Sequence, residues 1–195
     1  MDQKAAETVP MSSLFERLKS GTAQQHREIE VLIDPMKNFG SLDAYKDHLL
    51  KSRRFYLPFE GYLAVLDWSA VGIDYVLRRK APLIEQDLRV LGVDRLRLDE
   101  AQPLARANLH FALGCLYVLE GATLGGQFIS RHLATLGIGP ANGGLFFHGY
   151  GAKTGEMWKS FQTNATRFCV TEEQIDEAVS GAKSTFGRFC DSMLA

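Results

Sequence analysis

Hydrophobic residues recur along this chain mostly at helical spacing, and no stretch shows the alternating pattern typical of a strand. In the first segment, six residues fall within a sector of about 60° around a helix axis. They are Phe15, Leu18, Thr22, His26, Ile29 and Ile33. Ser12 or Ser13 can cap this helix, and Asp34-Pro35 ends it near Ile33, because proline restricts the residue before it. The pattern predicts a helix whose apolar face, with His26 in its middle, is turned to the core.

The rest of the chain gives the same kind of signal, so we predict an all-α, multi-helix fold. The second helix starts at Ser41, carries the stripe Leu42, Tyr45, Leu49 and Tyr56, and is kinked or broken by Pro58. The further predicted elements are a short segment over 74–79, a helix from about Pro82 to Gly92, a long helix from about Leu104 to Leu136, a glycine-rich loop over 137–151, a helix from Thr154 to Phe168, and a last helix from Thr171 to Leu194 that opens with a capping box.

Length and composition indicate one domain of an ordinary globular protein. The chain has 195 residues and a net charge of −1, so no basic field points to nucleic acid. We expect residues 1–11 to form a flexible leader and residues 12–195 to form the helical domain, because the first ten residues are polar and lack the features of a signal peptide. No run of about 18 apolar residues predicts a membrane span, and three scattered cysteines fit a reducing cytoplasm.

His26 is the first candidate for chemistry. A buried imidazole must make a hydrogen bond or bind a ligand, because leaving it unsatisfied costs about 1–3 kcal/mol. Glu30 lies one turn further along the helix, within reach of one ring nitrogen. A carboxylate there would fix the tautomer and leave the other nitrogen free to bind a metal. Two interpretations stay open at this point: a core histidine satisfied by Glu30, or a metal ligand.

The long helix contains four glycines between Leu113 and Gln127: Gly114, Gly121, Gly125 and Gly126. Each costs about 0.5–1 kcal/mol relative to alanine in a helix interior, so something should offset the loss. Three of them, Gly114, Gly121 and Gly125, share a sector of about 40° and form a bare groove. The groove can serve tight helix packing or the close approach of a flat ligand. A planar macrocycle needs an axial ligand on one face and a surface free of side chains on the other, which His26 and the groove can supply.

These segments resemble the biliverdin-producing haem oxygenase family, and its bacterial members more closely. Leu18-Lys19-x-x-Thr22-x-x-x-His26-x-x-x-Glu30 is similar to the family's proximal helix, and Gly121-x-x-x-Gly125-Gly126-Gln127 to its distal helix. Trp158-Lys159-x-Phe161 and Ala182-Lys183-x-x-Phe186 match later segments. The resemblance implies haem b, with its iron, as both substrate and cofactor, sandwiched between the proximal helix and a kinked distal helix. On the proximal side, the resemblance implies that His26 ligates the iron, that Glu30 orients His26 and that Thr22 belongs to the same motif. On the distal side, it implies that Gly121, Gly125 and Gly126 lie over the haem. At the edge of the haem, it implies that Lys19 and Lys159 face the propionates, that Tyr117 lies near them and that Phe186 packs against the ring.

The implied reaction is cleavage of haem at a meso carbon by O2 and external electrons, giving biliverdin, CO and ferrous iron. We expect the main chain at Gly121 and Gly125 to direct oxygen towards that carbon. A ferredoxin, flavodoxin or reductase would supply the electrons, since the chain has no flavin or nicotinamide fingerprint. A bacteriophytochrome is a conceivable acceptor of biliverdin, and neither nucleic acid nor membrane is an expected partner.

One departure from the family pattern concerns the distal side. Ala122 stands where animal members carry an aspartate that organises water. Arg78, Arg79 or Glu120 could take over that task, or could be solvated surface charges. The alternatives are a haem carrier or sensor of the same fold without catalysis, and a helical bundle that acts on a small heterocycle such as a thiamine-like compound.

Overall fold

The computed structural model describes residues 11–33, 38–93 and 108–195. All regular structure in these ranges is helical, which confirms the predicted all-α class. The α-helices are α1 (Met11–Gly21), α2 (Ala23–Leu32), α3 (Leu42–Ala64), α4 (Ala81–Val90), α5 (Leu109–Thr135), α6 (Leu145–His148), α7 (Thr154–Phe168) and α8 (Glu172–Leu194). Short 3-10 helices span Trp68–Val71, Val76–Arg78 and Gly151–Lys153.

The first predicted helix is interrupted at Thr22, which separates α1 from α2. Thr22 leaves helical geometry at φ −115° and ψ 9°, while its hydroxyl donates to the Leu18 carbonyl at 2.7 Å. Backbone hydrogen bonds from Thr22 to Leu18 and from His26 to Thr22 bridge the interruption. A threonine hydroxyl bonded to the preceding turn favours such a distortion. The proposed stop at Asp34-Pro35 and the side chains of Ser12 and Ser13 lie outside the described residues.

Helix α3 begins as predicted, because the Ser41 hydroxyl accepts a hydrogen bond from the Ala44 backbone N–H. Of the predicted kink or break at Pro58, the break is wrong, since the helix continues through the proline to Ala64. Proline removes one backbone hydrogen bond, and the buried neighbours Phe55 and Phe59 hold both sides of the turn in the core. In the predicted stripe, Tyr45, Leu49 and Tyr56 are buried, and Leu42 is exposed.

Helix α5 begins later than predicted, at Leu109 and not near Leu104. Asn108 has extended backbone and caps the helix by accepting from the His110 N–H at 2.8 Å, which fixes the start. The end agrees with the prediction, as Gly137 follows at φ +75°. The predicted 137–151 loop contains one helical turn, α6, because Asp87 accepts hydrogen bonds from the N–H groups of Leu145 and Phe146.

Helices α5 and α8 form the closely packed centre of the molecule. A Cβ at Gly114 would lie 1.7 Å from the Ala178 carbonyl oxygen, and a Cβ at Gly181 would lie 2.0 Å from that of Phe111. The two helices therefore touch through their main chains. Helices α1, α2 and α3 also pack against α8, and α7 packs against α5. This arrangement leaves the next stretch of α5, beyond Gly114, free to line a cavity.

By length and composition alone, α5 is the one helix in the described part of the chain that could cross a membrane. More than half of its most apolar stretch is buried inside the fold. The core helix of a folded domain can have the same length and composition, so α5 is a core helix here.

Candidate functional site

A cavity of about 550 Å³ opens between α2, α3, α5 and α8. Its size lies within the range of small-molecule sites, and its lining is mainly apolar. The residues that line it on α2 and α8 are His26, Ile29, Glu30, Phe186 and Phe189; those on α3 are His48, Ser52, Phe55 and Tyr56; those on α5 run from Tyr117 to Leu119, Gly121 to Gly126, and Phe128 to Ile129.

His26 belongs to this cavity and not to the packed core. Its side chain is 62% exposed, so the prediction of a buried, core-facing histidine is wrong. The stripe that carries it is buried in α1, at Leu18 and Thr22, but turns towards the cavity beyond Thr22. Nδ1 of His26 lies 3.3 Å from a carboxylate oxygen of Glu30. With Nδ1 facing Glu30, Nε2 is the nitrogen left to bind a metal.

The glycines of α5 divide into two groups with different surroundings. Gly114 meets the main chain of α8 and serves helix packing. Gly121 and Gly125 line the cavity, and a Cβ at either would have no neighbour within 4 Å. Gly126 also lines the cavity, with Phe147 at 3.4 Å from the position of its missing Cβ. The packing interpretation of the glycine groove is therefore confirmed at Gly114, whereas the main chain at Gly121 and Gly125 faces open space in the cavity.

Other predicted site residues lie at varying distances from the cavity. Glu30, Tyr117 and Phe186 line it, and the ring of Phe186 is centred 6.1 Å from that of His26. Thr22 does not line the cavity. It is buried and lies next to Tyr117, whose pKa is raised by burial despite the opposing effect of a hydrogen bond with Thr22.

The two predicted propionate partners, Lys19 and Lys159, are exposed and do not line the cavity. Lys159 directly follows Trp158, which does line it. Lys19 precedes His26 by seven residues, which is about two helical turns. Lys159 is therefore adjacent in sequence to a lining residue, whereas Lys19 lies on α1 about two turns before the first lining residue, His26.

Sequence reasoning missed the wall that α3 and α6 supply. His48, Ser52 and Tyr56 follow one another at intervals of one turn, and Phe146 and Phe147 come from the predicted loop. The i, i+4 spacing of the three polar side chains on a buried helix was the available signal. His48 is 3% exposed, and burial lowers its pKa to about 4.

Two of the candidate groups for holding water are buried and are not surface charges. Arg78 and Glu120 form an ion pair at 2.7 Å, and Glu120 also accepts a hydrogen bond from the Tyr150 hydroxyl at 2.6 Å. Neither Arg78 nor Glu120 lines the cavity. Arg79 is partly exposed and pairs with Glu60 at 3.1 Å.

The geometry fits a flat, mostly apolar ligand that carries a metal ion. The exposed imidazole of His26, oriented by Glu30, lies on one helix, and the bare main chain at Gly121 and Gly125 lies on another. A porphyrin would contact apolar walls, take one axial nitrogen ligand and need the absence of Cβ atoms on its other face. The site therefore defines a haem-binding helical protein.

Comparison with known proteins identifies the family. Residues 12–195 match the family model described as heme oxygenase, so the chain belongs to the haem oxygenase family. It is 31% identical over 155 residues to the heme oxygenase of Xanthomonas campestris, covering 78% of this chain and 90% of that protein. It is 26% identical over 191 residues to heme oxygenase PigA of Pseudomonas aeruginosa, covering 98% of this chain and 96% of PigA.

Solved structures agree with this assignment. The heme oxygenase of Neisseria meningitidis, determined with NO and CO bound, superposes with a TM-score of 0.83 at 22% identity, over 92% of this chain and 89% of that one. The heme oxygenase of Leptospira interrogans gives a TM-score of 0.74 at 17% identity, over 93% and 98%. The fold is that of the haem oxygenases, and family membership makes the protein a haem-degrading enzyme with haem as substrate and cofactor.

Proposed function

We propose that His26 is the protein ligand to haem iron, and that the protein cleaves the bound haem at a meso carbon to biliverdin, CO and ferrous iron. The observation that carries the proposal is the placement of an exposed, carboxylate-oriented imidazole and a stretch of bare main chain in one cavity. When bound, haem supplies the iron that activates O2 and the carbon that is oxidised. The residues of the chain bind and orient it.

Glu30 holds His26 in position. As an acceptor at Nδ1 it fixes the imidazole tautomer, and the neighbouring ring of Phe186 limits rotation of the imidazole. Gly121, Gly125 and Gly126 let the ligand approach the main chain of α5. Any side chain at Gly121 or Gly125 would occupy the cavity itself, since nothing else lies within 4 Å.

The propionates of the haem would be paired by cations near the cavity. Lys19 and Lys159 take this role in our proposal because both are exposed cations, Lys159 directly after the lining residue Trp158 and Lys19 about two turns before His26. Tyr117 and Trp158, whose rings are centred 5.9 Å apart, line the cavity on this side. Exposed pairs of this kind contribute about 0–1 kcal/mol, so their effect is on haem orientation more than on affinity.

The enzyme needs electrons from outside. Members of the family generally depend on an external electron donor, and we propose a ferredoxin, a flavodoxin or a reductase in the cytoplasm. A bacteriophytochrome that takes up biliverdin is the proposed acceptor where the product serves as a chromophore.

The proposal is tested by single turnover. Haem-loaded protein is incubated under air with ferredoxin, its reductase and NADPH, and biliverdin is measured by absorption and chromatography. We expect biliverdin from the unmodified protein, whereas an unchanged Soret band would indicate a haem carrier.

His26→Ala tests the ligand. The variant should lose turnover, because the remaining water ligand is a weak substitute for imidazole. Added imidazole should restore part of it, since the His26 side chain is 62% exposed and its loss leaves an accessible space. Full activity of His26→Ala without imidazole would remove His26 from this role.

A further inference from the structure

Two polar atoms in the cavity wall have no partner among the described residues. Nδ1 of His48 and Oγ of Ser52 are enclosed by protein, and neither makes a hydrogen bond. Both residues lie on α3, one turn apart, and both line the cavity. The proposed roles of His26 and of the glycines use neither of them.

The hydroxyl of Ser52 behaves differently from three buried threonine hydroxyls inside helices of this protein. Thr22, Thr123 and Thr185 each donate to the carbonyl four residues earlier, at 2.7, 3.1 and 2.8 Å. This is the usual local partner for a hydroxyl inside a helix. The Ser52 hydroxyl does not bond the His48 carbonyl, so it is available for a partner outside the helix backbone.

The surroundings of His48 leave its imidazole neutral and without polar contacts. Its ring is centred 4.8 Å from that of Phe39 and 5.7 Å from that of Phe147, and neither side chain offers a hydrogen bond. The charges that act on it, Asp47 and Lys51, belong to its own helix. Burial lowers the pKa of His48 to about 4, so at neutral pH one ring nitrogen donates and the other accepts.

This pair lies on the side of the cavity that the glycines form. Phe147, which contacts the ring of His48, is also the residue that approaches Gly126. The lining residues of α5 on that side have little to offer a polar ligand. Gly121, Ala122 and Gly125 have no polar side-chain atoms, and the Thr123 hydroxyl is bonded to the main chain of its own helix.

We propose that His48 and Ser52 together hold an ordered water molecule in the glycine side of the cavity. Residues at i and i+4 have Cβ atoms about 5–6 Å apart, a span that one water can bridge with two ordinary hydrogen bonds. To reach this water, each side chain must turn its polar atom from the wall towards the cavity. Water then satisfies two atoms that the protein leaves unsatisfied.

The role of this water rests on the proposed function. Reducing O2 consumes protons, and the electrons come from the external donor. The water held by His48 and Ser52 gives a proton to the oxygen under reduction and regains one from bulk solvent through the open side of the cavity. His48 and Ser52 are therefore positioning residues, which act through the water and do not touch the reacting atoms.

The test measures the acid–alkaline transition of the ferric haem complex by visible absorption. In this transition a water bound to the ferric haem loses a proton and becomes hydroxide, and the water held by His48 and Ser52 can donate a hydrogen bond to that hydroxide. Ser52→Ala removes this donor, so it should raise the midpoint pH of the transition by about half a unit or more, roughly a threefold change in the acid dissociation constant. His48→Phe, which preserves the aromatic packing, should shift it in the same direction. The two shifts should not add in the double variant, because both substitutions release the same water.

Two control variants distinguish a role of Ser52 in positioning the water from a general effect of removing a buried hydroxyl. Ser52→Thr keeps the hydroxyl and should restore the midpoint. Thr185→Val removes a buried hydroxyl that is bonded to α8 itself, away from the cavity, and should leave the midpoint unchanged. Midpoints that stay at the unmodified value in both Ser52→Ala and His48→Phe overturn the proposal.

A high-resolution crystal structure of the unmodified haem complex decides the matter if a variant fails to fold. We expect water density within hydrogen-bond distance of an imidazole nitrogen of His48 and of Oγ of Ser52. A Ser52 hydroxyl bonded to the His48 carbonyl, without such density, contradicts the proposal. Normal biliverdin formation with unchanged midpoints refutes only this inference, whereas an unmodified protein that makes no biliverdin refutes the proposed function.

Discussion

His26 and His48 line the same cavity, and their surroundings give them different chemistry. His26 is largely exposed and lies beside a carboxylate, so its second nitrogen is available to a ligand. His48 is enclosed between two phenyl rings, and burial keeps it neutral. Desolvation, with no charged partner from another of the described helices, makes His48 a hydrogen-bonding group that does not change its charge near neutral pH.

His48 should make the stability of the protein sensitive to acid. Its folded pKa of about 4 lies below the ordinary value of 6.5, so between these two pH values the unfolded chain binds the proton and the folded protein does not. The stabilisation is complete above pH 6.5 and is lost as the pH falls towards 4, by an amount on the order of 2–3 kcal/mol.

Urea unfolding of the apoprotein at pH 7 and pH 4.5 measures this effect. We expect His48→Phe to lose less stability than the unmodified protein over this interval, because phenylalanine does not titrate. All other titrating groups are shared by the two proteins and cancel in the comparison. An equal loss in both would show that His48 is protonated as easily in the folded state as in the unfolded chain.

At the scale of one helix, α5 performs two tasks with one residue type. Its N-terminal half touches α8 through Gly114, and its middle leaves open space at Gly121 and Gly125, where we propose that the ligand lies. The two tasks predict opposite consequences for the same substitution.

Gly114→Ala and Gly121→Ala form a matched pair on this helix. A methyl group at Gly114 would lie 1.7 Å from the Ala178 carbonyl oxygen, so the helices must separate, and we expect a loss of about 1–3 kcal/mol. At Gly121 the methyl group meets nothing, and replacing glycine within a helix should stabilise the apoprotein by about 0.5–1 kcal/mol.

Haem titration and thermal unfolding distinguish the two outcomes. Gly121→Ala, and more strongly Gly125→Leu, should weaken haem binding or redirect cleavage to another meso carbon while leaving helicity unchanged. Gly114→Ala should lower the unfolding temperature of the apoprotein without such a change of product. Tight, normal haem binding by Gly125→Leu would show that the ligand does not lie against this stretch of α5.

The helices could be predicted from the sequence because their signals are local. Ser41 and Thr171 cap α3 and α8 through residues three positions away, and apolar spacing marks the buried faces. The different surroundings of Gly114 and Gly121 cannot be predicted from local signals, since they depend on whether another helix or a cavity lies opposite each glycine. For the same reason the apolar spacing predicts a core position for His26 and does not indicate that the polar side chains of α3 line a cavity.

At the scale of the molecule, a buried polar cluster joins segments that are distant in sequence. Glu60 of α3 accepts hydrogen bonds from the backbone N–H groups of Lys80 and Ala81, at the start of α4. Arg78 reaches Glu120 of α5, and Tyr150 of the glycine-rich loop bonds the same carboxylate. The cluster fixes α3, α4 and α5 behind the cavity. Breaking a buried pair of this kind typically costs about 3–5 kcal/mol, so these residues secure the fold.

Lys80 is the member of this cluster whose charge opposes folding. Its ammonium group is buried, lies 3.5 Å from the centre of the Tyr150 ring and has no hydrogen-bond partner among the described residues. Burial lowers its pKa from 10.5 to about 8, despite the nearby carboxylate of Glu120. Below pH 8 the folded protein must keep this cation away from water, at a cost on the order of 3 kcal/mol.

Lys80→Met should therefore stabilise the protein at pH 7, because methionine fills the space without a charge. Between pH 8 and 10.5 the folded protein releases the proton of Lys80 while the unfolded chain still holds it, so the unmodified protein gains relative stability as the pH rises. The advantage of the variant should shrink over this interval.

Chemical unfolding at pH 7 and pH 9.5 measures the difference in unfolding free energy between the two proteins. The buried thiols and phenols cancel in this difference because both proteins contain them. Lys153→Met removes an exposed lysine and should show no such pH dependence. An advantage that is absent at pH 7, or that stays constant up to pH 9.5, would mean that the Lys80 ammonium reaches solvent.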